Sequence, residues 1–425
     1  MNVLMIAPNY PNRISEYLIL PSLELCILSQ ILKDKKHSVQ LLDMKINNYT
    51  VKDLQNLLPK ESPDIVLIDD IPETHCNSKE IISLIREIYH DKVKIGMRGE
   101  LISFEPKMIL ERNPYLDFGL RYDDDYSLLN YINNFNNDNK LKNVPNIVFR
   151  DREQNIVVTE RKKNDYSLDT LPMPDRKLYD IEKYLKRDSE TIVKSSRGCP
   201  GNCLFCIKTK MESFRTFSMK RFCDEIEEML EYGFKTFFFS DDTFAFSMKR
   251  LNEFSRELQK RKLKIKWTSN IRIKDIDEEK IKLMKELGAY RVFVGIETIN
   301  AKTSDIIGKK LKKEEIIEKI NILKKYNLQF HASFILGNPE DQVEDLKETI
   351  QFVHEIDPNI VTFNLIKIYP GLDLYNNPNK YGMILLDKYW FEKDEWTHKV
   401  VMGTKQLPPA LLEKWSRKLL FEFIQ

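Results

Sequence analysis

The sequence predicts an α/β protein: an N-terminal doubly wound, Rossmann-like parallel sheet, then a partial (β/α)6 barrel, then a helical C-terminal segment. Two observations predict this class. Short apolar runs alternate with stretches of helical periodicity up to about residue 135, and a second alternation of the same kind begins near residue 191. The chain is therefore expected to divide into a sheet domain (1–140), a linker with a small hairpin (141–188), a barrel (189–378) and a C-terminal helical segment (379–425).

The first domain alternates apolar strands with amphipathic helices. Its expected strands are Asn2–Ala7, Ser38–Leu42, Ile65–Ile68, Lys94–Gly96 and Phe118–Leu120. Its expected helices are Ser22–Lys33, Val51–Leu58, Ser78–Tyr89, Pro106–Arg112 and Asp125–Phe135. A doubly wound sheet binds ligands at the carboxyl ends of its strands. Two further β-like runs, at 146–150 and 155–159, predict the hairpin of the linker.

The second alternation predicts six strand–helix units. The expected strands are Thr191–Ser195, Thr236–Ser240, Ile265–Ser269, Arg291–Gly295, Phe330–Leu336 and Ile360–Ile368. The expected helices between them are Ser218–Tyr232, Met248–Lys260, Asp277–Leu287, Lys313–Tyr326 and Val343–Glu355, and a last helix is expected at Pro409–Ile424. Six units are too few for a closed eight-fold barrel, so an open six-stranded partial barrel fits best.

Composition argues against several classes of function. Lys and Arg number 67 and Asp and Glu 65, so the net charge of +2 gives no electrostatic case for a nucleic-acid partner. No run of about 18 apolar residues occurs, so no membrane-spanning helix is expected. The opening stretch 1–8 resembles a first strand and not a signal peptide. Six cysteines in 425 residues are too sparse for a disulfide framework, which favours a reducing, cytoplasmic setting.

Cys199, Cys203 and Cys206 form a C-x3-C-x2-C motif on a short loop directly after the first barrel strand. Three thiolates can each bind one iron of a cubane cluster, which leaves the fourth iron with an open position for chemistry. A structural zinc site is the less favoured alternative, because zinc sites prefer paired C-x2-C knuckles and a fourth ligand. The distant His331 could serve as that ligand.

With the aromatic residue Phe205 directly before its last cysteine, the motif resembles the signature of radical S-adenosylmethionine (SAM) enzymes. The resemblance implies that the three cysteines hold a [4Fe–4S] cluster and that the open iron chelates the amino and carboxylate groups of SAM. It also implies that Phe205 packs near the adenine. The expected reaction is reductive cleavage of SAM to methionine and a 5′-deoxyadenosyl radical, with a ferredoxin- or flavodoxin-type electron donor.

Polar residues at the ends of later barrel strands extend the resemblance over about 180 residues. By this resemblance the SAM-binding residues are Ser240, Asp241 and Asp242 after the second strand, Ser269, Asn270 and Arg272 after the third, Glu297 after the fourth and Gly337 after the fifth. Simpler interpretations exist, since Ser and Asp also suit a helix N-cap and Arg272 also suits an exposed loop. The position of these residues at strand ends favours a role in binding SAM. The guanidinium of an arginine can bind a carboxylate through two hydrogen bonds, which suits Arg272 to the SAM carboxylate.

The sheet domain ahead of the barrel, with the linker segment 171–176, resembles the cobalamin-binding branch of this family. In that branch methylcobalamin lies between the two domains and donates a methyl group to a substrate radical. The chain departs from the branch at two places. Met97 and Arg98 stand where a Gly-Gly pair is usual, and residues 121–125, with the acidic run Asp123–Asp125, replace a Gly-Glu-Gly-Glu segment. An Asp-x-His-x-x-Gly motif is also absent from the sequence.

These observations leave three classes of function. The first is a cobalamin-dependent radical methyltransferase that acts on an unactivated carbon. The second is a radical SAM enzyme with a vestigial cobalamin domain, which abstracts hydrogen for cyclisation, rearrangement or epimerisation. A non-catalytic iron–sulfur or zinc scaffold is disfavoured by the polar strand ends. The substrate is expected to be a small metabolite, a natural-product intermediate or a peptide. Near the C-terminus, core packing is favoured over a barrel-capping role for Trp390, Phe391, Trp396 and His398.

Overall fold

The computed structural model describes residues 1–11, 19–59, 62–122, 125–187, 190–393 and 400–423, and for residues 420 and 421 it describes the backbone alone. The chain forms two compact units. The first comprises Met1–Arg187 and Tyr389–Thr397, and the second comprises Asp188–Lys388 and His398–Gln425. Each unit is built around its own main β-sheet.

The first unit alternates strands and helices. Its strands are β1 (Asn2–Ala7), β2 (Ser38–Asp43), β3 (Ile65–Asp70), β4 (Lys94–Gly99), β5 (Phe118–Leu120), β6 (Ile147–Arg150) and β7 (Ile156–Val158). Its helices are α1 (Leu23–Asp34), α2 (Leu54–Leu57), α3 (His75–Tyr89), α4 (Glu100–Phe104), α5 (Pro106–Arg112), α6 (Ser127–Asn134), α7 (Asp138–Leu141) and α8 (Ile181–Arg187). Helix α1 begins where the Ser22 side chain accepts a hydrogen bond from the Leu25 amide.

The described strands of this unit form one sheet in the order β2-β1-β3-β4-β5-β6-β7. Strands β1 to β5 are parallel, whereas β6 and β7 are a hairpin that adds antiparallel to β5. The sequence-based expectation of a doubly wound sheet is confirmed. The hairpin expected in the linker extends that sheet, because its apolar residues cover the edge that β5 would otherwise expose.

The second unit contains the barrel. Its strands are β8 (Glu190–Val193), β9 (Ser196–Arg197), β10 (Arg215–Thr216), β11 (Thr236–Phe239), β12 (Lys266–Ile271), β13 (Ala289–Glu297), β14 (Gln329–Leu336), β15 (Ile360–Leu365), β16 (Met383–Leu385) and β17 (Met402–Thr404). Its helices are α9 (Lys208–Met211), α10 (Met219–Glu231), α11 (Met248–Arg261), α12 (Glu278–Glu286), α13 (Ala301–Ile306), α14 (Lys313–Lys325), α15 (Val343–Ile356), α16 (Asp373–Asn376) and α17 (Pro409–Phe423).

Six of the described strands pair in parallel in the order β15-β14-β13-β12-β11-β8. Strands β8 and β15 are the two edges of this sheet, so the barrel is open, as the sequence predicts. Aromatic packing fixes the helix-facing side: Phe239 stacks on Trp267 with 4.5 Å between ring centroids. The opposite side of the same strands carries a mixture of polar and aromatic residues and faces the barrel interior.

The C-terminal segment divides between the two units. Helix α17 packs on the second unit through an apolar cluster that includes Leu336, Leu346 and Leu412. Trp390 and Phe391 are buried in the first unit, where Phe391 meets the ring of His75 edge-on at 5.7 Å. They have the core role that the sequence favoured, while Trp396 and His398 lie outside the described residues. No described helix combines the length and apolar character needed to cross a lipid bilayer.

Candidate active site

Cys199, Cys203 and Cys206 line one cavity of about 550 Å³ at the carboxyl ends of the barrel strands. After β8 the chain turns back through β9 and enters the cysteine loop at Gly198. The φ of Gly198 is +72°, and a Cβ atom there would lie 3.0 Å from the backbone of Ser213. Glycine is therefore required at this turn, which brings the three thiols to the mouth of the barrel.

The chemistry of these thiols fits a cluster better than a single metal ion. Burial raises the pKa of all three thiols, that of Cys206 to about 11. Without metal the thiols therefore keep their protons, and metal binding releases them. Among the described residues, no three His, Cys, Asp or Glu side chains converge as ligands of one ion. Zinc needs such convergence, whereas a cubane places each thiolate on a different iron. His331 lines the same cavity, but its Nε2 is 3.1 Å from Thr362 Oγ1.

Glu297 closes the end of β13 and forms a buried ion pair with Lys309. The register of β13 shifts between Gly295 and Glu297, and Glu297 has a φ of +69°. This local irregularity places the carboxylate in the cavity, 3.3 Å from the Lys309 ammonium. Burial raises the pKa of Glu297, and the neighbouring ammonium opposes that rise.

Lys309 belongs to a segment that holds the cysteine loop and that the sequence reasoning missed. The Leu204 amide donates to the Ile307 carbonyl over 3.1 Å. Gly308 has a φ of +83°, and a Cβ atom there would lie 2.9 Å from the Asn202 carbonyl oxygen. Lys309 itself lies over the Phe205 ring at 5.9 Å. A Gly-Lys pair after α13 was the only signal in the sequence, and nothing local linked it to the cysteines.

Asn270, Arg272 and Asp242 also line the cavity. Arg272 Nε and Nη2 donate to both carboxylate oxygens of Asp275 over 2.6 and 2.8 Å, and this pairing raises the pKa of Arg272. Asn270 donates to the Asp241 carbonyl oxygen over 2.8 Å. Asp275 therefore fixes Arg272 in place through the Nε–Nη2 side of its guanidinium, and no described residue forms a hydrogen bond with the Nη1 end.

The other predicted SAM-binding residues lie outside the lining of this cavity. Asp241 is completely buried and accepts hydrogen bonds from the Ser195 amide and hydroxyl, over 3.1 and 2.8 Å, and from the Ser196 hydroxyl. It fixes the entry to the cysteine loop. Ser240 hydrogen-bonds to β8, and Ser269 is buried in β12. At Gly337, a Cβ atom would lie 2.7 Å from Leu412 of α17.

Comparison with known proteins places this site in a family. The model of the radical SAM superfamily matches residues 193–353. A protein of Pyrococcus horikoshii named as an uncharacterized methyltransferase is 27% identical over 412 residues, which cover 95% of this chain and 87% of that protein. An anaerobic magnesium-protoporphyrin IX monomethyl ester cyclase of Rubrivivax gelatinosus is 26% identical over 408 residues, covering 92% of this chain and 72% of the cyclase.

Solved structures share the fold over both units. The radical SAM methyltransferase TsrM from Kitasatospora setae, solved with cobalamin and a [4Fe–4S] cluster, matches with a TM-score of 0.75 at 15% identity and covers 97% of this chain and 84% of its own. The cobalamin-dependent radical SAM enzyme OxsB, solved with aqua-cobalamin and SAM, matches with a TM-score of 0.71 at 20% identity. That match covers 89% of this chain and 56% of OxsB. The family match includes the three cysteines, and the shared fold agrees with it: residues 193–353 of this chain form a radical SAM domain.

Proposed function

We propose that this chain is a cobalamin-dependent radical SAM methyltransferase that methylates an unactivated carbon of a small molecule. The observation that carries the proposal is the meeting of the three cysteines, the Glu297–Lys309 pair and Arg272 in one cavity. A [4Fe–4S] cluster with bound SAM supplies reductive cleavage to methionine and a 5′-deoxyadenosyl radical. A ferredoxin- or flavodoxin-type protein is the proposed electron donor.

In this proposal each cavity residue has a separate role toward SAM. Cys199, Cys203 and Cys206 hold the cluster and leave one iron open. Asp275 holds the Nε–Nη2 side of Arg272, and the Nη1 end of the guanidinium is offered to the SAM carboxylate. Asp242 lines the same cavity as an acceptor for the ammonium group.

The remaining contacts involve the nucleoside half of SAM. Glu297 accepts hydrogen bonds from the ribose hydroxyls, and Asn270 supplies a further polar contact from β12. Phe205 offers its ring to the adenine. The ammonium of Lys309 opposes the rise in the pKa of Glu297 that burial causes, which favours the ionised carboxylate as an acceptor.

The first unit is the proposed cobalamin domain, and cobalamin would supply the methyl group. The residues at the carboxyl ends of its strands fit the group only in part. Gly99 has a φ of +141°, and a Cβ atom there would lie 1.7 Å from the Asp70 carbonyl oxygen, so this glycine is required by the close approach of the β3 backbone and gives no evidence for a ligand. Met97 is buried in the core and does not project toward a ligand. Arg98 pairs with Asp69, which weakens it as a phosphate partner. Asp123 and Asp124 lie outside the described residues.

A vestigial first unit is the second candidate, and two observations favour it. The Arg98 guanidinium is already paired with the Asp69 carboxylate, so it is less available as a partner for the cobalamin phosphate. Three relatives, the Rubrivivax gelatinosus protein among them, are named as cyclases, so methylation is not the only reaction named among the relatives. With a vestigial first unit, the 5′-deoxyadenosyl radical would abstract hydrogen from the substrate for cyclisation, rearrangement or epimerisation.

Cobalamin retention separates the two candidates. The protein would be purified without oxygen, reconstituted with iron and sulfide, incubated with hydroxocobalamin and desalted. The methyltransferase proposal predicts about one cobalamin per chain in the visible spectrum, together with 5′-deoxyadenosine after addition of SAM and dithionite. Formation of 5′-deoxyadenosine without retained cobalamin would favour the vestigial domain. A Cys199/Cys203/Cys206→Ala variant is the control, because it should form no 5′-deoxyadenosine.

A further inference from the structure

The barrel interior carries a polar set that the proposed SAM contacts do not use. We define the inner wall as Thr268, Arg291, Phe293, His331 and Thr362 on strands β12 to β15. Phe293, His331 and Thr362 line the cavity directly. Arg291 lies two residues before Phe293, and Thr268 two residues before the cavity residue Asn270, so strand alternation points both to the same side. Thr268 and Arg291 are also direct neighbours in the β12–β13 register.

Three polar atoms of the inner wall are buried without a hydrogen-bond partner in the described structure. They are Thr268 Oγ1, Arg291 Nε and His331 Nδ1. Thr268 is only 1% exposed, and its hydroxyl is therefore shielded from bulk water. Most buried polar groups of proteins are paired, and an unpaired one costs about 1–3 kcal/mol. Three such atoms on adjacent strands indicate that a ligand group pairs with them.

The charge of the inner wall identifies the ligand group. Arg291 forms no ion pair with any residue that the structure describes, and its guanidinium carbon lies 5.6 Å from the ring centroids of both Tyr290 and Phe293. Nearer the cysteines, by contrast, Arg272 and Lys309 each have a carboxylate partner. Burial, together with the positive charge of Arg291, lowers the pKa of His331. The five residues of the inner wall therefore supply positive charge and hydrogen-bond donors. The Glu190 carboxylate on β8 accepts a hydrogen bond from the Tyr290 hydroxyl over 3.1 Å and forms no ion pair with Arg291 in the described structure.

We propose that the inner wall binds an anionic group of the substrate, a carboxylate or a phosphate-type group, with Arg291 as its charge partner. Thr268 and His331 donate hydrogen bonds to the same group. Phe293 lines the cavity, 5.0 Å from the His331 ring and 5.6 Å from the Arg291 guanidinium carbon, and would pack against the adjoining part of the substrate. The anchored substrate would then extend toward the cysteine end of the cavity. Naming the ligand as the substrate rests on the proposed function, but the anion site itself does not.

Small anions can test the site without knowledge of the substrate. The full chain would be titrated with acetate and, separately, with methylphosphonate at constant ionic strength, and the thermal unfolding midpoint would be followed. A ligand that binds the folded state alone raises this midpoint, and the rise grows with the logarithm of its concentration above the dissociation constant. The midpoint should rise for wild type, should rise far less for Arg291→Gln, and should rise partly for Arg291→Lys. The anion that acts at the lower concentration identifies the class of group.

Lys310→Gln is the matched control, because it removes one positive charge from an exposed position beside Lys309. It should respond like wild type. Equal responses of Arg291→Gln and wild type, or no response of wild type to either anion, would overturn the proposal. His331→Asn gives a second test that leaves Arg291 in place, and it too should reduce the response. The iron content of the reconstituted wild type reports on the proposed function separately, since anion binding needs no cluster.

Discussion

The ammonium of Lys309 lies 3.3 Å from the Glu297 carboxylate, and water screens this pair only weakly because the two side chains are 14% and 11% exposed. The same ammonium donates to the Gly295 carbonyl over 2.9 Å. One cation thus joins the irregular end of β13 to the segment that holds the cysteine loop. Breaking such a pair leaves an uncompensated buried carboxylate.

Lys309→Met should therefore weaken both stability and SAM binding. We expect a loss of about 3 kcal/mol in the free energy of unfolding, because one partner of a buried pair is removed. We also expect at least tenfold weaker SAM binding, because an isolated buried Glu297 takes up a proton and ceases to be an acceptor. Urea unfolding and calorimetric titration with SAM measure the two effects.

Lys310→Met is the comparison for this prediction, since Lys310 is exposed and adjacent in sequence. It should change neither quantity by a measurable amount. If both lysine variants behave alike, the Lys309–Glu297 pair has no role in the site.

The three motif cysteines should account for all bound iron. A Cys199/Cys203/Cys206→Ala variant is expected to lose the iron content and the visible absorbance of the anaerobically reconstituted protein. Cys76→Ala, at a partly exposed position in the first unit, should retain both. Iron that persists in the triple variant would assign the cluster to other residues.

The sequence predicted the fold well because most of its signals are local. Apolar runs and helical periodicity depend on neighbouring residues, so β1, β5 and α5 begin and end where they were expected. The cysteine motif was equally local. Lys309 was missed because its importance depends on a contact with Glu297, which a whole helix separates from it. His331 was weighed only as a zinc ligand, since strand register alone brings it beside Phe293.

Asp241 and Asp242 show that position after a strand end does not by itself decide whether a side chain faces the cavity. Both follow β11, yet Asp242 lines the cavity and Asp241 is buried beneath the start of the cysteine loop. Sequence could not separate them, because which of two adjacent side chains faces the cavity depends on how the chain leaves the strand.

The two carboxylates should consequently respond differently to substitution. Asp241→Ala is expected to reduce the free energy of unfolding by about 3 kcal/mol, because it leaves the Ser195 amide and two serine hydroxyls without an acceptor. Asp242→Ala should cost much less stability but weaken SAM binding. Unfolding curves and SAM titrations of both variants check this, and a reversed pattern would exchange the two roles.

Asp341 provides a pH-dependent test of the loop after β14. This residue is 3% exposed, and its Oδ2 accepts hydrogen bonds from the backbone amide and side-chain nitrogen of Asn338 over 2.9 and 3.2 Å. Burial raises the pKa of Asp341 to about 7, and the neighbouring Asp345 carboxylate adds to the rise. The folded chain therefore binds a proton here that the unfolded chain has already lost above its ordinary pKa of 3.8.

Because the folded pKa is the higher one, the stabilisation is complete below pH 3.8 and is lost as the pH rises through 7. Wild type should therefore lose stability between pH 5 and pH 8 relative to Asp341→Asn, whose neutral amide mimics the protonated carboxyl. A pKa rise of this size corresponds to about 4 kcal/mol in full, of which at most about 3 kcal/mol is lost between pH 5 and pH 8. Urea unfolding of both proteins at the two pH values measures it, with Glu340→Gln, on an adjacent and more exposed carboxylate, as the control that should follow wild type. A wild-type curve that runs parallel to that of Asp341→Asn would show that Asp341 is ionised throughout, and the loop would then have to hold a buried charge without a cationic partner.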